Sequence, residues 1–174
     1  MPIRTDAGLE ASMKRDLPWL AENQALIAAV ARSFGLEPAV VAGLVSRESG
    51  GGRLLGKAGC PPGTGDGGHG RGLMQIDDRW HQAFLAIRDF WRRPAANLAY
   101  GCFLLRQNLD ALRRRLPGVS EDGALRAALA AYNCGLGEAL KLVRAGGDPD
   151  AATTGGNYGR DVLERAAWLR ARGF

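Results

Sequence analysis

Apolar residues recur every three or four positions along most of this chain, which is the spacing of one face of an α-helix. Residues 1–18 are polar and mixed, and we expect them to form a loosely packed lead-in to the domain. The longest apolar seam runs from Leu98 to Leu116, in a helix predicted to begin at Pro94. Pro38 suits the first turn of an earlier helix. The pattern predicts helices over residues 19–34, 38–49, 80–91, 94–116, 121–132, 138–144 and 158–172.

The segment 50–72 breaks this helical pattern. It contains 11 glycines and two consecutive prolines, a composition in which a regular helix does not persist. A loop of this length inside a compact domain is usually functional, and residues 73–77 after it suit a short strand or turn. The sequence therefore predicts one mainly α-helical domain over residues 19–174, with a small β-element in the glycine-rich region.

The composition narrows the function classes. The 174 residues are 46% hydrophobic and 24% charged, so the chain can bury a core and is not disordered. No apolar run approaches the ~20 residues that a membrane span needs. We expect no secretory signal either, because the first sixteen residues lack an apolar segment.

The charge is basic, at +5, and it comes from 20 arginines against 3 lysines. A basic surface favours a polyanion such as nucleic acid, an anionic membrane or an acidic wall polymer, and the arginine preference of a GC-rich genome is the alternative explanation. The three cysteines (Cys60, Cys102 and Cys134) are expected to be free or buried thiols, although a pairing of Cys60 with Cys134 stays open. With no C-x-x-C pair and only two histidines, the sequence shows no obvious zinc site.

Glu48 is the first candidate catalytic residue. It follows Leu44 by four positions and Val41 by seven, so it continues the apolar stripe of the predicted helix 38–49. Partial desolvation on that stripe would raise its pKa and suit it to act as a general acid. The alternative is a glutamate that turns to water at the helix end or pairs with an arginine.

Acidic residues in and after the glycine-rich segment are the second candidates. Asp66 lies between glycines, and Asp77 follows the predicted short strand or turn. Acids facing a protonated glutamate can position or activate a water, which is how glycosidic bonds are hydrolysed. For Asp66, ordinary turn chemistry is the competing explanation, because aspartate next to glycine is common in turns.

Four stretches, taken in order, resemble goose-type lysozymes and, more loosely, the related lytic transglycosylases. The resemblance covers residues 23–174. It implies a lysozyme-like fold, mainly α with a small β-element beside the cleft, and no metal or cofactor. The stretches are Ser46-Arg47-Glu48-Ser49, Gly70-Arg71-Gly72-Leu73-Met74-Gln75-Ile76-Asp77, Ala131-Tyr132-Asn133-Cys134-Gly135 and the tail from Thr153 to Val162.

The resemblance also implies roles for individual residues. Glu48 matches the general acid, while Asp66 and Asp77 match two acids that position the attacking water. The implied reaction is hydrolysis, with inversion, of the β-1,4 bond between N-acetylmuramic acid and N-acetylglucosamine in peptidoglycan. The residues expected to bind the sugar are Gln75, His81, Tyr132, Asn133 and Tyr158.

Three alternatives stay open. A lytic transglycosylase would use the same glutamate and leave a 1,6-anhydro end, but the presence of both Asp66 and Asp77 favours hydrolysis. A non-catalytic wall-binding module would be expected to lack Glu48. A nucleic-acid binder would need more basic clustering than Arg113-Arg114-Arg115 provides.

The expected partners follow from the same resemblance. We expect a monomer that acts on glycan strands at the cell wall, in the periplasm or outside the cell, although no signal is visible. An inhibitor protein is a further candidate partner. We expect no nucleic acid and no membrane span.

Overall fold

The computed structural model describes residues 7–57 and 59–174. Within these ranges, eight α-helices and a three-stranded antiparallel sheet form the fold, with single 3-10 turns between some of them. The helices are α1 (Ala7–Glu22), α2 (Gln24–Ser33), α3 (Pro38–Ser49), α4 (Gln82–Leu85), α5 (Pro94–Arg115), α6 (Glu121–Cys134), α7 (Leu136–Arg144) and α8 (Tyr158–Arg170). The strands are β1 (Thr64–Gly65), β2 (Gly70–Arg71) and β3 (Ile76–Asp77). The predicted mainly α fold with a small β-element is confirmed.

Helix α3 is the centre of the core. Every residue from Ala39 to Ser46 is buried, so this helix is covered on all sides. Its most extensive partner is α8, and the two backbones approach closely at Gly43, where a Cβ would come within 2.8 Å of the Val162 carbonyl oxygen. Each large apolar side chain buried in such a core contributes about 1.5–3 kcal/mol. The packing therefore fixes the end of α3, where Glu48 lies.

The prediction of a loosely packed lead-in over residues 1–18 is wrong for the described residues 7–18. They belong to α1, which places Leu9, Met13 and Leu20 in the core. The pattern hides this helix because it also buries a charge. The side chain of Asp16 is fully buried, where it accepts hydrogen bonds from Ser46 Oγ (2.7 Å) and Arg53 Nη2 (2.8 Å). Burial of a carboxylate depends on such partners, and they come from distant parts of the chain.

Two other helix predictions are corrected. The predicted helix 19–34 is the end of α1 and all of α2, with the break at Asn23. The predicted helix 80–91 is reduced to the single turn of α4 and a 3-10 turn over Phe90–Arg92. Asp89 separates these two turns with a left-handed backbone (φ 53°), which a continuous helix does not permit.

The small sheet lies beside the ends of α3 and α6. Gly70 pairs with Gly65 on one side and with Asp77 on the other, in antiparallel register. This register folds the last part of the glycine-rich segment back on itself and pairs it with Ile76–Asp77. Among the described residues, no single helix is long and apolar enough to cross a membrane; α2 and α3 meet the length and composition only together, across a 114° bend.

Candidate active site

Two adjoining cavities form one cleft between the sheet and the helices. The first, which we call the Glu48 cavity because Glu48 lines it, has a volume of about 520 Å³. The second, which we call the Trp80 cavity because Trp80 lines it, has a volume of about 400 Å³. The walls that the two cavities share are formed by Gln75, Asp77, Tyr132 and Asn133. All eight residues that the sequence singles out line this cleft. A larger cavity of about 580 Å³, between α1 and the glycine-rich segment, contains none of them.

Glu48 lies one residue before the end of α3 and faces the Glu48 cavity. Its carboxyl group accepts a hydrogen bond from the Tyr158 hydroxyl. Burial raises the pKa of Glu48 to about 7, because desolvation outweighs the lowering by the Tyr158 hydrogen bond and by the Arg47 charge. The nearby Asp66 charge raises this pKa further. Near neutral pH a substantial fraction of Glu48 is therefore protonated.

The position of Tyr158 depends on a buried aspartate. Asp150 is fully buried and accepts hydrogen bonds from the backbone N–H groups of Gly159 (2.6 Å) and Arg160 (3.1 Å), in the first turn of α8. Arg126 neutralises the same carboxylate from α6, with Nη2 at 2.9 Å from Oδ2. An acid at a helix N-terminus is stabilised by the helix dipole and the free N–H groups. These hydrogen bonds hold the first turn of α8 and with it the phenol that contacts Glu48.

The opposite wall of the Glu48 cavity carries Asp66 and Asp77, and Arg79 joins them. Arg79 Nε donates to both oxygens of Asp77, at 2.9 Å and 3.0 Å, and Arg79 Nη2 lies 3.2 Å from Asp66 Oδ2. The Arg79 hydrogen bonds hold the pKa of Asp77 below its ordinary value, in spite of some desolvation. Asp77 is thus ionised at the pH at which Glu48 is largely protonated.

Two residues of this wall have a strained backbone. Asp66 and Gln75 both have φ of 48°, in the left-handed region that residues other than glycine seldom adopt. The Gln75 amide lies over the paired Gly65 and Gly70, where a Cβ on Gly70 would be 2.2 Å from Gln75 Oε1. Strained positions of this kind cost about 1–3 kcal/mol each and cluster at functional sites. The glycines of the sheet leave space for the Gln75 side chain within the cleft wall.

The remaining predicted residues make hydrogen bonds between the cleft and the helices and loops that surround it. The Tyr132 hydroxyl donates to the Met74 carbonyl oxygen (2.8 Å), so α6 is tied to the loop before β3. Asn133 Oδ1 accepts from the Thr154 backbone N–H (2.8 Å), which holds the loop before α8 against the cavity. His81 Nδ1 lies 3.2 Å from the Tyr100 hydroxyl, and partial burial lowers the pKa of His81. His81 is therefore largely neutral near pH 7.

Besides Gly70, three further residues line the Glu48 cavity that the sequence does not assign to it. Arg79 pairs with both acids; Arg47 lies 5.4 Å from the centre of the Tyr158 ring and donates to the Thr154 carbonyl oxygen (3.3 Å). Thr154 itself lines the cavity. The spacing of Arg79, two residues after Asp77, is the one signal that could indicate its role. In the described ranges, no group of three or more His, Cys, Asp or Glu side chains could hold a metal ion.

Two comparisons with known proteins bear on the family to which the chain belongs. The family model for lysozyme g matches residues 4–173. The chain belongs to the lysozyme g family. It is similar to lysozyme g of Gallus gallus, with 34% identity over 92% of this chain and 70% of the relative. It is also similar to lysozyme g of Struthio camelus, with 34% identity over 96% of this chain and 76% of the relative.

Lysozyme g of Cyprinus carpio is a further relative, with 31% identity over 98% of this chain and 86% of its own length. Membership in this family makes the protein a glycoside hydrolase, a goose-type lysozyme whose substrate is peptidoglycan. The family match begins at residue 4, within the stretch predicted as the lead-in.

Proposed function

We propose that this lysozyme hydrolyses the β-1,4 bond between N-acetylmuramic acid and N-acetylglucosamine with inversion. In this proposal Glu48 is the general acid, and Asp66 and Asp77 position the attacking water. The observation that carries the proposal is the contrast across one cavity: a carboxyl group with a pKa of about 7 lines the same space as a carboxylate whose pKa is lowered. Two acids in opposite protonation states are what this hydrolysis requires.

The first half of the reaction belongs to Glu48. Its carboxyl proton passes to the glycosidic oxygen while the bond from that oxygen to C1 breaks, and positive charge develops on the muramic acid ring. A protonated group with a pKa near the working pH is well matched to this transfer. The Tyr158 hydrogen bond supports the carboxylate that is left behind.

The second half belongs to the opposite wall. A water oxygen attacks C1 from the face opposite the leaving group. The carboxylate of Asp66 or Asp77 accepts the proton that this water loses. Asp77 suits this role because Arg79 fixes its orientation through both carboxylate oxygens. Asp66 is more exposed, with 70% of its side chain accessible, and we assign it the smaller share. Gln75, His81, Tyr132, Asn133 and Tyr158 line the sugar-binding surface around these groups.

The test is mass spectrometry of the muropeptides that the protein releases from purified peptidoglycan, with Glu48→Gln measured alongside. We expect reducing muramic acid ends from the wild type and almost no product from Glu48→Gln. Polarimetry or NMR of the fresh product on a soluble oligomer then gives the anomer, which we expect to be inverted.

Three outcomes would contradict the proposal. Products lighter by one water molecule, with 1,6-anhydro ends, would assign the chain to lytic transglycosylase chemistry. The absence of products from the wild type would favour a wall-binding role. Substantial activity of a folded Glu48→Gln variant would remove Glu48 from the mechanism.

A further inference from the structure

Arg47 directly precedes Glu48 on α3, yet its guanidinium does not pair with the Glu48 carboxyl group. Within the part of the chain that the structure describes, the one hydrogen bond of that carboxyl group comes from the uncharged Tyr158 hydroxyl. Arg47 and Glu48 both line the Glu48 cavity, where an arginine and a carboxylate would form a strong charge-assisted hydrogen bond. The position of the Arg47 side chain therefore calls for an explanation.

The Arg47 guanidinium is held by groups of α8 and of the loop before it. Arg47 Nε lies 3.6 Å from Asp161 Oδ2, and Arg47 Nη2 donates to the Thr154 carbonyl oxygen (3.3 Å). Arg47 Cζ lies 5.4 Å from the centre of the Tyr158 ring, within the range of a cation–π interaction. Of these three partners, Asp161 is the one that carries a negative charge. It therefore supplies the countercharge of Arg47.

Asp161 is itself held in place by Arg165, one turn further along α8. Arg165 Nε donates to Asp161 Oδ2 (2.7 Å), and Arg165 Nη1 donates to Ser46 Oγ (2.8 Å) on α3. The exposed fraction is 14% for the Asp161 side chain and 9% for that of Arg165. Because both side chains are mostly buried, salt screens this charge pair only weakly. The Asp161 carboxylate is thereby fixed beside the end of α3.

The place of the Arg47 charge matters because a cation close to a carboxyl group favours its ionised form. At its present position Arg47 already lowers the pKa of Glu48, although burial outweighs this effect. A direct pair with an arginine lowers the pKa of an acid by about 1–3 pH units. Such a pair would cancel much of the rise from 4.5 to about 7. Glu48 would then be largely ionised at neutral pH and unable to donate a proton.

The other groups around Glu48 leave this role to Arg47. The remaining titratable and charged residues that line the Glu48 cavity are Tyr158 from α8, Tyr132 from α6, and Asp66, Asp77 and Arg79 from the sheet side. Burial raises the pKa of both tyrosines well above its ordinary value, so they are neutral. Arg79 is paired with both aspartates of the opposite wall. The place of Arg47 therefore decides how much positive charge reaches Glu48.

We propose that Asp161 is a positioning residue of the active site, which holds the Arg47 guanidinium in place and so keeps it from forming an ion pair with Glu48. The proposal rests on the proposed function, because it explains how a general acid stays protonated next to an arginine. Asp161 does not itself line the Glu48 cavity and acts through Arg47. The same contact answers the sequence alternative in which Glu48 pairs with an arginine.

The experiment follows the Glu48 carboxyl carbon by carbon-13 NMR from pH 3 to 9 in four proteins: the wild type, Asp161→Asn, Arg47→Gln and the double variant. We expect Asp161→Asn to lower the titration midpoint of Glu48 by about one pH unit or more, because the released Arg47 can pair with it. The basic limb of the kcat/KM profile should move to lower pH with the midpoint. Arg47→Gln should raise the midpoint slightly when Asp161 is present, and by about one pH unit or more when Asp161 is replaced.

Asp110→Asn is the matched control. Asp110 is also a helical aspartate that pairs with an arginine four residues away (Arg106 Nε to Asp110 Oδ2, 2.9 Å), but it has no contact with Arg47. We expect the control to leave the Glu48 midpoint unchanged, and Asp161→Glu, which keeps the charge, to stay close to the wild type. If the unpaired Arg165 destabilises Asp161→Asn, the variant Asp161→Asn/Arg165→Gln removes both partners and takes its place.

Two results would overturn the positioning role. One is an unchanged Glu48 midpoint in a folded protein that lacks the Asp161 charge. The other is an equal effect of Arg47→Gln with and without Asp161, which would mean that the two charges act on Glu48 independently.

The NMR midpoint separates this inference from the proposed function, because its measurement needs no substrate. If the wild type releases muropeptides through Glu48 while Asp161→Asn moves neither the midpoint nor the basic limb, the positioning role fails and the proposed function stands. If a folded Glu48→Gln variant keeps its activity, the proposed function fails, and the midpoints still decide whether Asp161 governs the place of Arg47.

Discussion

The two walls of the Glu48 cavity carry the same chemical group in opposite surroundings. Glu48 ends a helix that is buried on every side, and its first neighbour is an uncharged phenol. Asp77 ends a two-residue strand and is paired with the guanidinium of Arg79. Burial raises the pKa of Glu48 to about 7, whereas hydrogen bonds from Arg79 lower the pKa of Asp77.

The opposite pKa shifts of these two carboxyl groups come from the elements that carry them. A helix end packed in the core can desolvate a side chain, which favours its neutral form. A strand edge at the surface leaves room for an arginine, which favours the charged form. Substitutions of the two carboxyl groups and of the residues that shift their pKa values therefore test the proposed mechanism.

The largest expected effect comes from Glu48→Gln, which removes the proton donor and keeps the shape. We expect kcat to fall about 10²–10⁴-fold, the usual contribution of a general acid. Glu138→Gln, on the exposed face of α7, is the control and should retain full activity. Turnover of released peptidoglycan fragments is the measurement, with circular dichroism to verify the fold.

The same variant also tests how the free energy of unfolding depends on pH. The folded-state pKa of Glu48 is raised from 4.5 to about 7, so its favourable contribution is complete below pH 4.5 and is lost as the pH rises through about 7. We expect the free energy of unfolding of the wild type to decline relative to Glu48→Gln across that interval. A constant difference between the two proteins from pH 4 to 8 would contradict the desolvation of Glu48.

The second effect compares the two acids of the opposite wall. We expect Asp77→Asn to lower kcat about 10–100-fold and Asp66→Asn to lower it less, because a full general base contributes 10²–10⁴-fold and two acids share the work. Asp122→Asn, in the exposed first turn of α6, is the control. Steady-state rates of the single and double variants decide this prediction. Equal rates for Asp66→Asn and Asp77→Asn would contradict the larger role of the arginine-paired acid.

The third effect concerns the acidic limb of the pH profile. Arg79→Gln removes the hydrogen bonds that lower the pKa of Asp77, so this pKa should rise. The proposed mechanism uses Asp77 as a carboxylate, so activity should then be lost at a higher pH on acidification. Profiles of kcat/KM from pH 3 to 9 provide the measurement, and Arg88→Gln is the control because Arg88 is 97% exposed. An unmoved acidic limb would show that Arg79 does not govern Asp77.

The smallest effects are two shifts of opposite sign on the basic limb. Tyr158→Phe removes a hydrogen bond that lowers the pKa of Glu48, so the limb should move to higher pH. Asp66→Asn removes a charge that raises the same pKa, so the limb should move to lower pH. Normalised kcat/KM profiles compare the two variants directly. Shifts in the same direction would mean that the limb reports a group other than Glu48.

Helices and the Glu48 candidate are predictable from the sequence because they depend on local spacing. Leu44 and Val41 place Glu48 on an apolar stripe before any packing is known. Helix α1 is not predictable in the same way, since its buried Asp16 is tolerated only through Ser46 and Arg53, which lie 30 and 37 residues away. A hydrophobic pattern reflects residues that are close in sequence, whereas α1 is stabilised by residues that are distant in sequence and close in the fold.

The opposite wall of the site is harder to predict for the same reason. Two-residue strands carry no periodicity, so the register that brings Gly70 between Gly65 and Asp77 cannot be derived from alternation. The pairing of Arg79 with both acids depends on that register. Trp80 has no pattern signal at all, because one exposed residue next to His81 is ordinary until the cavity beside it is known.

The most direct test of the account is the protonation of Glu48 itself. Carbon-13 NMR of protein labelled at the glutamate carboxyl carbons follows each group from pH 3 to 9, and the resonance missing from Glu48→Gln is that of Glu48. Because burial raises the pKa of Glu48, we expect a titration midpoint near 7. A midpoint close to the ordinary 4.5 would mean that Glu48 is ionised at neutral pH, and it would contradict its assignment as the general acid.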